Sequence, residues 1–354
     1  MVRAREGKNM RLASVTLARD EADIIEVFVR HNLHFVDCMY IVDDGSTDAT
    51  RAILDLLQGE GLPLVRIEDG AHAAYNQGRR TTGLMHRAMR DEAWDFIFAL
   101  DADEFIAIAD RATLEAELNA LPEPRIGAFS VTNYFPHADD DATDPNPLSR
   151  LTHVLDLPRG NGKVIVPGAF AGHPETLISD GNHIISRWHA EQPVTLLATA
   201  DLAHFPVRSD DQLVAKCMVS YIRWRARPDY KASTASHHIE GARALMKEPG
   251  LLLERPDLLL LAYIPQLEGP VAVRPFVQRR ATPRYLDLAR TYPYRRVLAS
   301  LDALVEGARA GTAELNALRV QVTKAQAPFH LALAAALRKM RRSFLKRWLS
   351  LRTK

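Results

Sequence analysis

Three carboxylates, Asp101, Asp103 and Glu104, close an apolar run, Phe96-Ile97-Phe98-Ala99-Leu100, that is long enough for a buried strand. Carboxylates beside apolar surface are costly unless compensated, so this strand end needs positive charge. A divalent cation meets that need, being hard, oxygen-seeking and able to bridge to phosphate oxygens. Asp101 and Asp103 are two residues apart, which on an extended backbone puts both on one face with Ala102 turned away. A lone Asp-x-Asp reads equally well as a solvated turn. Weight comes from a second acidic strand end upstream, where Tyr40-Ile41-Val42 runs into Asp43-Asp44-Gly45-Ser46-Thr47-Asp48. Gly45 permits a tight turn, Ser46 or Thr47 can cap a following helix, and open α/β sheets bind ligands beyond such carboxyl ends. Turn chemistry explains Gly45 and Ser46, but not two adjacent acids.

The elements that must position these acids alternate. Strands are predicted at 12–17, 39–42, 64–67 and 94–100, with helices at 21–35, 47–57 and 76–90 between them. Such a βα series implies a parallel sheet. The turn after the first strand, Ala18-Arg19-Asp20-Glu21, has no glycine, which excludes a dinucleotide-binding turn, and no P-loop occurs. A helix at 114–121 and a strand at 128–135 follow. Residues 136–147, rich in acids and proline with His137, Asp139, Asp140, Asp141 and Asp144, read as a mobile loop. Short strands are expected at 162–167, led by Lys163, and at 176–179, and the chain from 241 onward reads as mostly helical.

Taken in order and separation, Ala18-Arg19-Asp20-Glu21, Val42-Asp43-Asp44-Gly45-Ser46-Thr47-Asp48 and Leu100-Asp101-Ala102-Asp103-Glu104-Phe105 resemble the nucleotide-sugar half of a family 2-type glycosyltransferase with the GT-A fold, in the bacterial Asp-Ala-Asp-Glu-Phe subgroup. The resemblance covers roughly the first third of the chain. It implies an α/β fold, a Rossmann-like and mostly parallel sheet flanked by helices, with a helical C-terminal extension. The expected organisation is a GT-A-type domain over 1–240, with a nucleotide-sugar half at 10–107 and an acceptor and metal half at 108–240, followed by a helical region over 241–354.

The activity implied is metal-dependent transfer of a sugar from a nucleotide-diphosphate donor to a hydroxyl of a glycan or lipid-linked acceptor, with inversion, in glycan or surface-polysaccharide synthesis. Related transferases often place a histidine after the last core strand as a metal ligand, and Leu202-Ala203-His204-Phe205-Pro206-Val207-Arg208-Ser209 resembles that element. The resemblance thus implies Mn2+ or Mg2+ on Asp103 and His204, with Asp101 beside the metal or reaching the ribose. Asp44 is expected to hydrogen-bond the base, Asp20 or Glu21 the ribose or base rim, and Arg208 and Lys216 the leaving diphosphate. Arg79 and Arg80 are further candidates for the donor. Inversion needs a group that takes the acceptor proton. Asp180, Glu191 and His183 are candidates, and Asp180 is preferred for its turn beside Gly181 and His183. The family's usual acidic pair ahead of a helix is not recognisable here. Two other classes compete: a nucleotidyltransferase, which normally carries a Gly-rich basic loop where this chain has Arg19-Asp20-Glu21, and a non-catalytic nucleotide-sugar or lipid-binding protein.

Composition agrees with an enzyme of this kind. The chain has 354 residues, 47% hydrophobic and 25% charged, ample for a full core. Its two cysteines, Cys38 and Cys217, have no zinc or disulfide spacing and read as buried thiols of a reducing compartment. The N-terminus lacks an apolar leader core and no apolar run spans a bilayer, so a cytoplasmic protein is expected. Charge is uneven: ten Lys or Arg residues and no acid follow Glu314. Leu337, Met340, Phe344, Trp348 and Leu351 recur among them at helical spacing, the pattern of a basic amphipathic helix. The tail therefore reads either as peripheral attachment to an anionic membrane at its inner face or as a helix docked on the body. Nucleic-acid binding fits poorly, for want of a recognition motif or stacking platform.

Overall fold

Alternation of side chains along three strands builds two apolar layers at once. In β1 (Leu12–Ala18), Leu12 faces one layer while Ala13 and Val15 face the other. In β2 (Cys38–Asp44), Met39 and Ile41 oppose Tyr40 and Val42 in the same way. Both faces are thus buried, as expected of parallel strands covered by helices. The first layer receives α1 (Ile25–Asn32) through Ile25, Phe28 and Val29, and α2 (Thr50–Gly59) through Ile53, Leu54 and Leu57. The second receives α3 (Gln77–Asp91) through Leu84, Met85 and Ala88. Between these helices runs β3 (Leu64–Asp69), and after them β4 (Phe96–Ala99) sends Phe96 and Phe98 to the first layer and Ile97 and Ala99 to the second.

The structure, a computed structural model, describes residues 10–69, 76–141, 143–160, 162–227, 231, 237–248, 270–279, 282–289 and 295–321. The sheet order is β3-β2-β1-β4, all parallel, in the predicted βα sequence. The strand expected at 94–100 is β4, and beyond it the structure adds a strand that was not expected. The chain turns through Asp101, Ala102 and Asp103, then resumes as β5 (Glu104–Ala107). Two bonds close the turn: the carboxylate of Glu104 accepts from Asp101 N at 2.9 Å, and Glu104 N donates to Asp101 O at 3.1 Å.

After α4 (Arg111–Ala120), capped by Asp110, comes β6 (Gly127–Phe135). The acidic stretch at 136–147 then folds on its own side chains. His137 N donates to Asp140 Oδ2, Thr143 N to Asp141 and Asn146 N to Asp144. Then follow α5 (Pro147–Arg150), β7 (His153–Leu155), β8 (Lys163–Pro167) and α6 (Gly168–Ala171). β8 pairs antiparallel with both β4 and β6 and so extends the sheet past β4. A separate three-stranded sheet is formed by β9 (Thr176–Ile178), β10 (Ile185–Arg187) and β11 (Ala190–Glu191). The long β12 (Thr195–His204) runs parallel to β6 and antiparallel to β5, pairing His204 with both Glu104 and Asn133. Next come α7 (Asp210–Arg225), α8 (His237–Lys247) and β13 (Val271–Val273), which adds to β7. The C-terminal part of the chain is therefore not wholly helical.

The chain divides into two compact units, 1–301 and 302–354. Residues 302–321 of the second are helical and largely exposed. The amphipathic tail, with Phe344 and Trp348, lies outside the described residues. Among the described residues, no helix is long and apolar enough to cross a membrane. Cys38 and Cys217 are free thiols, and burial pushes them up to about 11 and about 12.

Phe98 is fully buried and packs edge-on against Phe129 at 5.4 Å, which joins β4 to β6. Phe98→Ala is expected to cost about 3–5 kcal/mol, read as an earlier midpoint in urea unfolding.

Candidate active site

Beyond the carboxyl ends of β1, β2 and β4 lies a cavity of about 810 Å³. It is lined by Asp20, Glu21, Asp44, Asp101, Asp103, Asp180, His183, His204 and Lys216. Of the site residues expected from sequence, Arg208 alone is set beneath it, almost wholly buried. Glu191 sits exposed on β11 and Arg79 exposed on α3, neither of them lining the cavity.

Each carboxylate meets a cation. Asp101 Oδ2 accepts from Lys163 Nζ at 2.6 Å, and the same ammonium lies 2.7 Å from Glu104 Oε1. Burial works against the Lys163 charge, but these two carboxylates outweigh it and raise its pKa. Asp101 Oδ1 accepts from Gln77 Nε2 at 2.6 Å and from Asn182 Nδ2 at 3.1 Å. Asp101 is thereby fastened from three sides.

Asp103 has a different shell. Its Oδ2 accepts from Lys216 Nζ at 2.8 Å, with Arg208 Nη1 at 3.7 Å, and its Oδ1 lies 3.3 Å from His204 Nε2. Burial opposes the Asp103 charge, yet Lys216, His204 and Arg208 together hold its carboxyl well below the usual range. On the other side of the ring, His204 Nδ1 donates to Asn133 Oδ1 at 2.7 Å. That bond sets the ring orientation and points Nε2 at the Asp103 carboxylate. When a cation displaces any proton from Nε2, the imidazole and the carboxylate at this spacing can share it, and an imidazole with a carboxylate and diphosphate oxygens is a donor set for Mn2+ or Mg2+. Asn133, on β6, has no marking in the sequence and is found only through the β6–β12 pairing.

Asp44 is enclosed by arginines. Its Oδ1 lies 2.6 Å from Arg80 Nη1, its Oδ2 accepts from Arg223 Nη2 at 2.7 Å, and Arg19 Nη1 is 3.9 Å away. Asp43, by contrast, closes the turn by accepting from Ser46 N at 3.0 Å, with Gly45 at φ 70°. Ser46 and Thr47 do not cap α2, whose first turn is preceded by Asp48 accepting from Thr50 N. They bind the exit of β1 instead: Asp20 N donates to Ser46 Oγ at 2.9 Å, and Thr47 N donates to Asp20 Oδ1 at 2.6 Å. Asp20 itself adopts φ 55°, a left-handed conformation that aspartate tolerates better than most residues. Its other oxygen lies 3.3 Å from Arg296 Nε. Burial pushes Glu21 up to about 7 despite its ion pair with Arg208.

Asp180 and His183 come from the irregular turn between β9 and β10. Asp180 Oδ1 accepts from Gly78 N at 2.8 Å, at the start of α3, and Oδ2 from Arg227 at 2.9 Å. His183 Nδ1 donates to Gly162 O at 3.1 Å, leaving Nε2 with the lone pair. Partial desolvation and the nearby Lys163 ammonium lower the pKa of this imidazole, so it is neutral at pH 7.

The approach of α3 to the Asp180 turn is close enough to require glycine. A Cβ on Gly78 would stand 2.6 Å from Ile178 O, 2.7 Å from Asp180 N and 2.8 Å from Ser179 C, all backbone atoms. Gly78→Ala is expected to cost about 1–3 kcal/mol by overpacking and to displace the His183 turn. Gly83→Ala on the same helix meets nothing within 4 Å. It is expected to leave stability unchanged or raise it by up to about 1 kcal/mol. Thermal unfolding of the two variants side by side checks the contrast.

No family model matches the chain, and no curated protein matches it. Among solved structures, S. aureus TarS 1–349 in complex with UDP is 13% identical, covers 70% of this chain and 74% of its own, and has a TM-score of 0.34. The mannosyltransferase PcManGT from Pyrobaculum calidifontis, in complex with GDP-Man and Mn2+, is 11% identical over 84% of this chain and 87% of that one, with a TM-score of 0.33. Glucosyl-3-phosphoglycerate synthase from Mycobacterium tuberculosis, in complex with Mn2+, UDP and glucosyl-3-phosphoglycerate, is 12% identical over 48% and 64%, with a TM-score of 0.25. At these scores the likeness is distant, and the chemistry of this chain rests on its own residues.

Proposed function

We propose that the chain is a metal-dependent glycosyltransferase that moves a sugar from a nucleoside-diphosphate donor to a hydroxyl acceptor. The observation that carries this reading is the Asp103–His204 pair, 3.3 Å apart, with the imidazole oriented by Asn133 and Lys216 on the outer carboxylate oxygen. Asp103 Oδ1 and His204 Nε2 are the atoms that would hold Mn2+ or Mg2+. The bound cation would act as a Lewis acid toward the leaving diphosphate, a contribution of several kcal/mol.

The remaining roles belong to the chain. Lys216 sits beside Asp103 and can pair with diphosphate oxygens, as Arg80 and Arg223 can by sharing their charge between Asp44 and the donor. Asp44, on the exit of β2, offers acceptors to the nucleobase, and Asp20 and Glu21 form the rim next to it. Arg208, buried under Glu21 and Asp103, positions both carboxylates. Asp101, held by Lys163, Gln77 and Asn182, sets the wall on which the sugar would rest.

His183 is the proton acceptor that the geometry favours over Asp180. Both Asp180 oxygens are engaged, by Gly78 N and Arg227, whereas the His183 ring is neutral, exposes Nε2 and lines the cavity. In the proposed step the acceptor hydroxyl gives its proton to His183 Nε2 while its oxygen forms a bond to the anomeric carbon. The bond from that carbon to the diphosphate breaks, and the nucleoside diphosphate leaves with the electron pair. Attack opposite to the leaving group inverts the centre.

Two measurements test this. Asp103→Asn keeps the shape of the side chain and removes its charge. It is expected to weaken Mn2+-dependent binding of a nucleoside diphosphate, in calorimetry, by roughly a hundredfold, or about 2.7 kcal/mol. Unchanged Mn2+-dependent affinity would refute the metal assignment. For the base, a proton acceptor must be unprotonated, and the His183 pKa is lowered. The acid limb of kcat against pH should therefore fall below the ordinary histidine value of about 6.5. Loss of that limb in His183→Gln, with donor binding intact, is the expected outcome; an unaltered profile would assign the proton elsewhere.

A further inference from the structure

The acidic turn at 136–147 holds a constellation that the donor cavity does not use. His137 stands just past the end of β6, Asp139 follows it, and His153 opens β7, paired with Phe135 on one side and Val273 on the other. Each of His137, Asp139 and His153 can present one ligand atom so that all three lie within 4.8 Å of one another. The two imidazole rings stack with centroids 3.9 Å apart. None of the three lines the cavity.

A second observation points to a ligand here. His153 is only 6% exposed, and its Nδ1 has no hydrogen-bond partner. Facing it at 3.5 Å is Asp140 Oδ1, also buried and also without a hydrogen-bond partner. Buried polar atoms are rarely left so, because each costs its full desolvation. Asp140 is aimed deliberately, since its other oxygen accepts from His137 N at 2.7 Å. A cation on His153 satisfies both atoms. An imidazole that ligates through Nε2 turns Nδ1–H toward Asp140, the carboxylate–histidine–metal arrangement. One that ligates through Nδ1 brings Asp140 Oδ1 into the ligand set.

We propose that His137, Asp139 and His153, supported by Asp140, form a second divalent-cation site, suited to Zn2+, that ties the 136–147 turn to β7. Two imidazoles and one carboxylate are softer than the oxygen-rich sets that Mg2+ and Ca2+ select, and they match the three protein ligands of an open zinc site. His137 and Asp139 are exposed and His153 is buried, so the cation would enter from solvent and be held against the sheet. In the free turn, His137 Nδ1 accepts from Asp139 N at 3.3 Å and lies 3.4 Å from Asp139 Oδ2, contacts a cation would replace. The site is independent of the activity proposed above.

Calorimetry and Co2+ absorption of the full chain test it, in an Asp103→Asn background so that the cavity adds no binding. One equivalent of Zn2+ should bind, and Co2+ should give visible bands of low coordination number. His137→Ala and Asp139→Ala alter exposed side chains and should leave the fold intact. Each should weaken Zn2+ by more than about 100-fold, beyond what loss of an outer-shell partner produces. Zn2+ should also slow proteolysis within 136–147 in the parent and not in these variants. Absence of a one-equivalent event in the parent, or its persistence in both variants, overturns the proposal and leaves an adventitious ion only.

Discussion

One buried guanidinium joins the parts of this molecule that face the cavity. Arg208 donates through Nε and Nη2 to both oxygens of Asp23, at 2.6 and 2.9 Å, pairs with Glu21, and reaches toward Asp103. It also donates through Nη1 to the carbonyl of Phe205, at 3.0 Å. The exit of β1, the Asp-x-Asp turn and the start of α7 are therefore held by one side chain. A planar fork that never loses its proton is the residue type able to serve three carboxylates at once. Removing one member of such a buried set costs about 3–5 kcal/mol, because the others are left charged and dry. Arg208 never needs to touch a substrate to decide where Asp103 stands.

The rest of the cavity follows the same rule on a larger scale. Lys163 compensates Asp101 and Glu104, Lys216 compensates Asp103, and Arg80 and Arg223 compensate Asp44. The acids are thus preorganised by internal cations. Under the proposed function, a diphosphate entering this space would not meet bare carboxylates; it would compete with them for charge already in position. The cost of organising those side chains is met in folding, which leaves binding energy for the reacting groups.

Much of this was legible in the residues. The apolar runs of β1, β2 and β4, their alternation with helical segments and the acid clusters at their ends located the sheet and one side of the cavity. Other parts had no local signal. β5 was missed because it is only four residues long and pairs with β12, almost a hundred positions on. Asp44 and Arg223 are 179 positions apart, so no motif links them. Ser46 and Thr47 have the chemistry of helix caps, and tertiary context gave them to Asp20 instead. The preference for Asp180 as proton acceptor came from its turn; its engagement by Gly78 N is visible only in three dimensions.

The separation of partners along the chain has a consequence for how the protein comes into being. Lys216 meets Asp103 across 113 positions, Arg223 meets Asp44 across 179, and Arg208 meets Asp23 across 185. These three acids lie in the first third of the chain and these three cations in the middle third. Synthesis runs from the N-terminus, so Asp23, Asp44 and Asp103 emerge before Arg208, Lys216 and Arg223, and Asp44 has only Arg19 and Arg80 at first. Closing such long loops is slow, which places assembly of the cavity near the end of folding. A chain that stops before residue 204 has the acids at the ends of β1, β2 and β4 without Arg208, Lys216 and Arg223. The carboxylate partners are therefore complete only once the middle third of the chain has closed over the first.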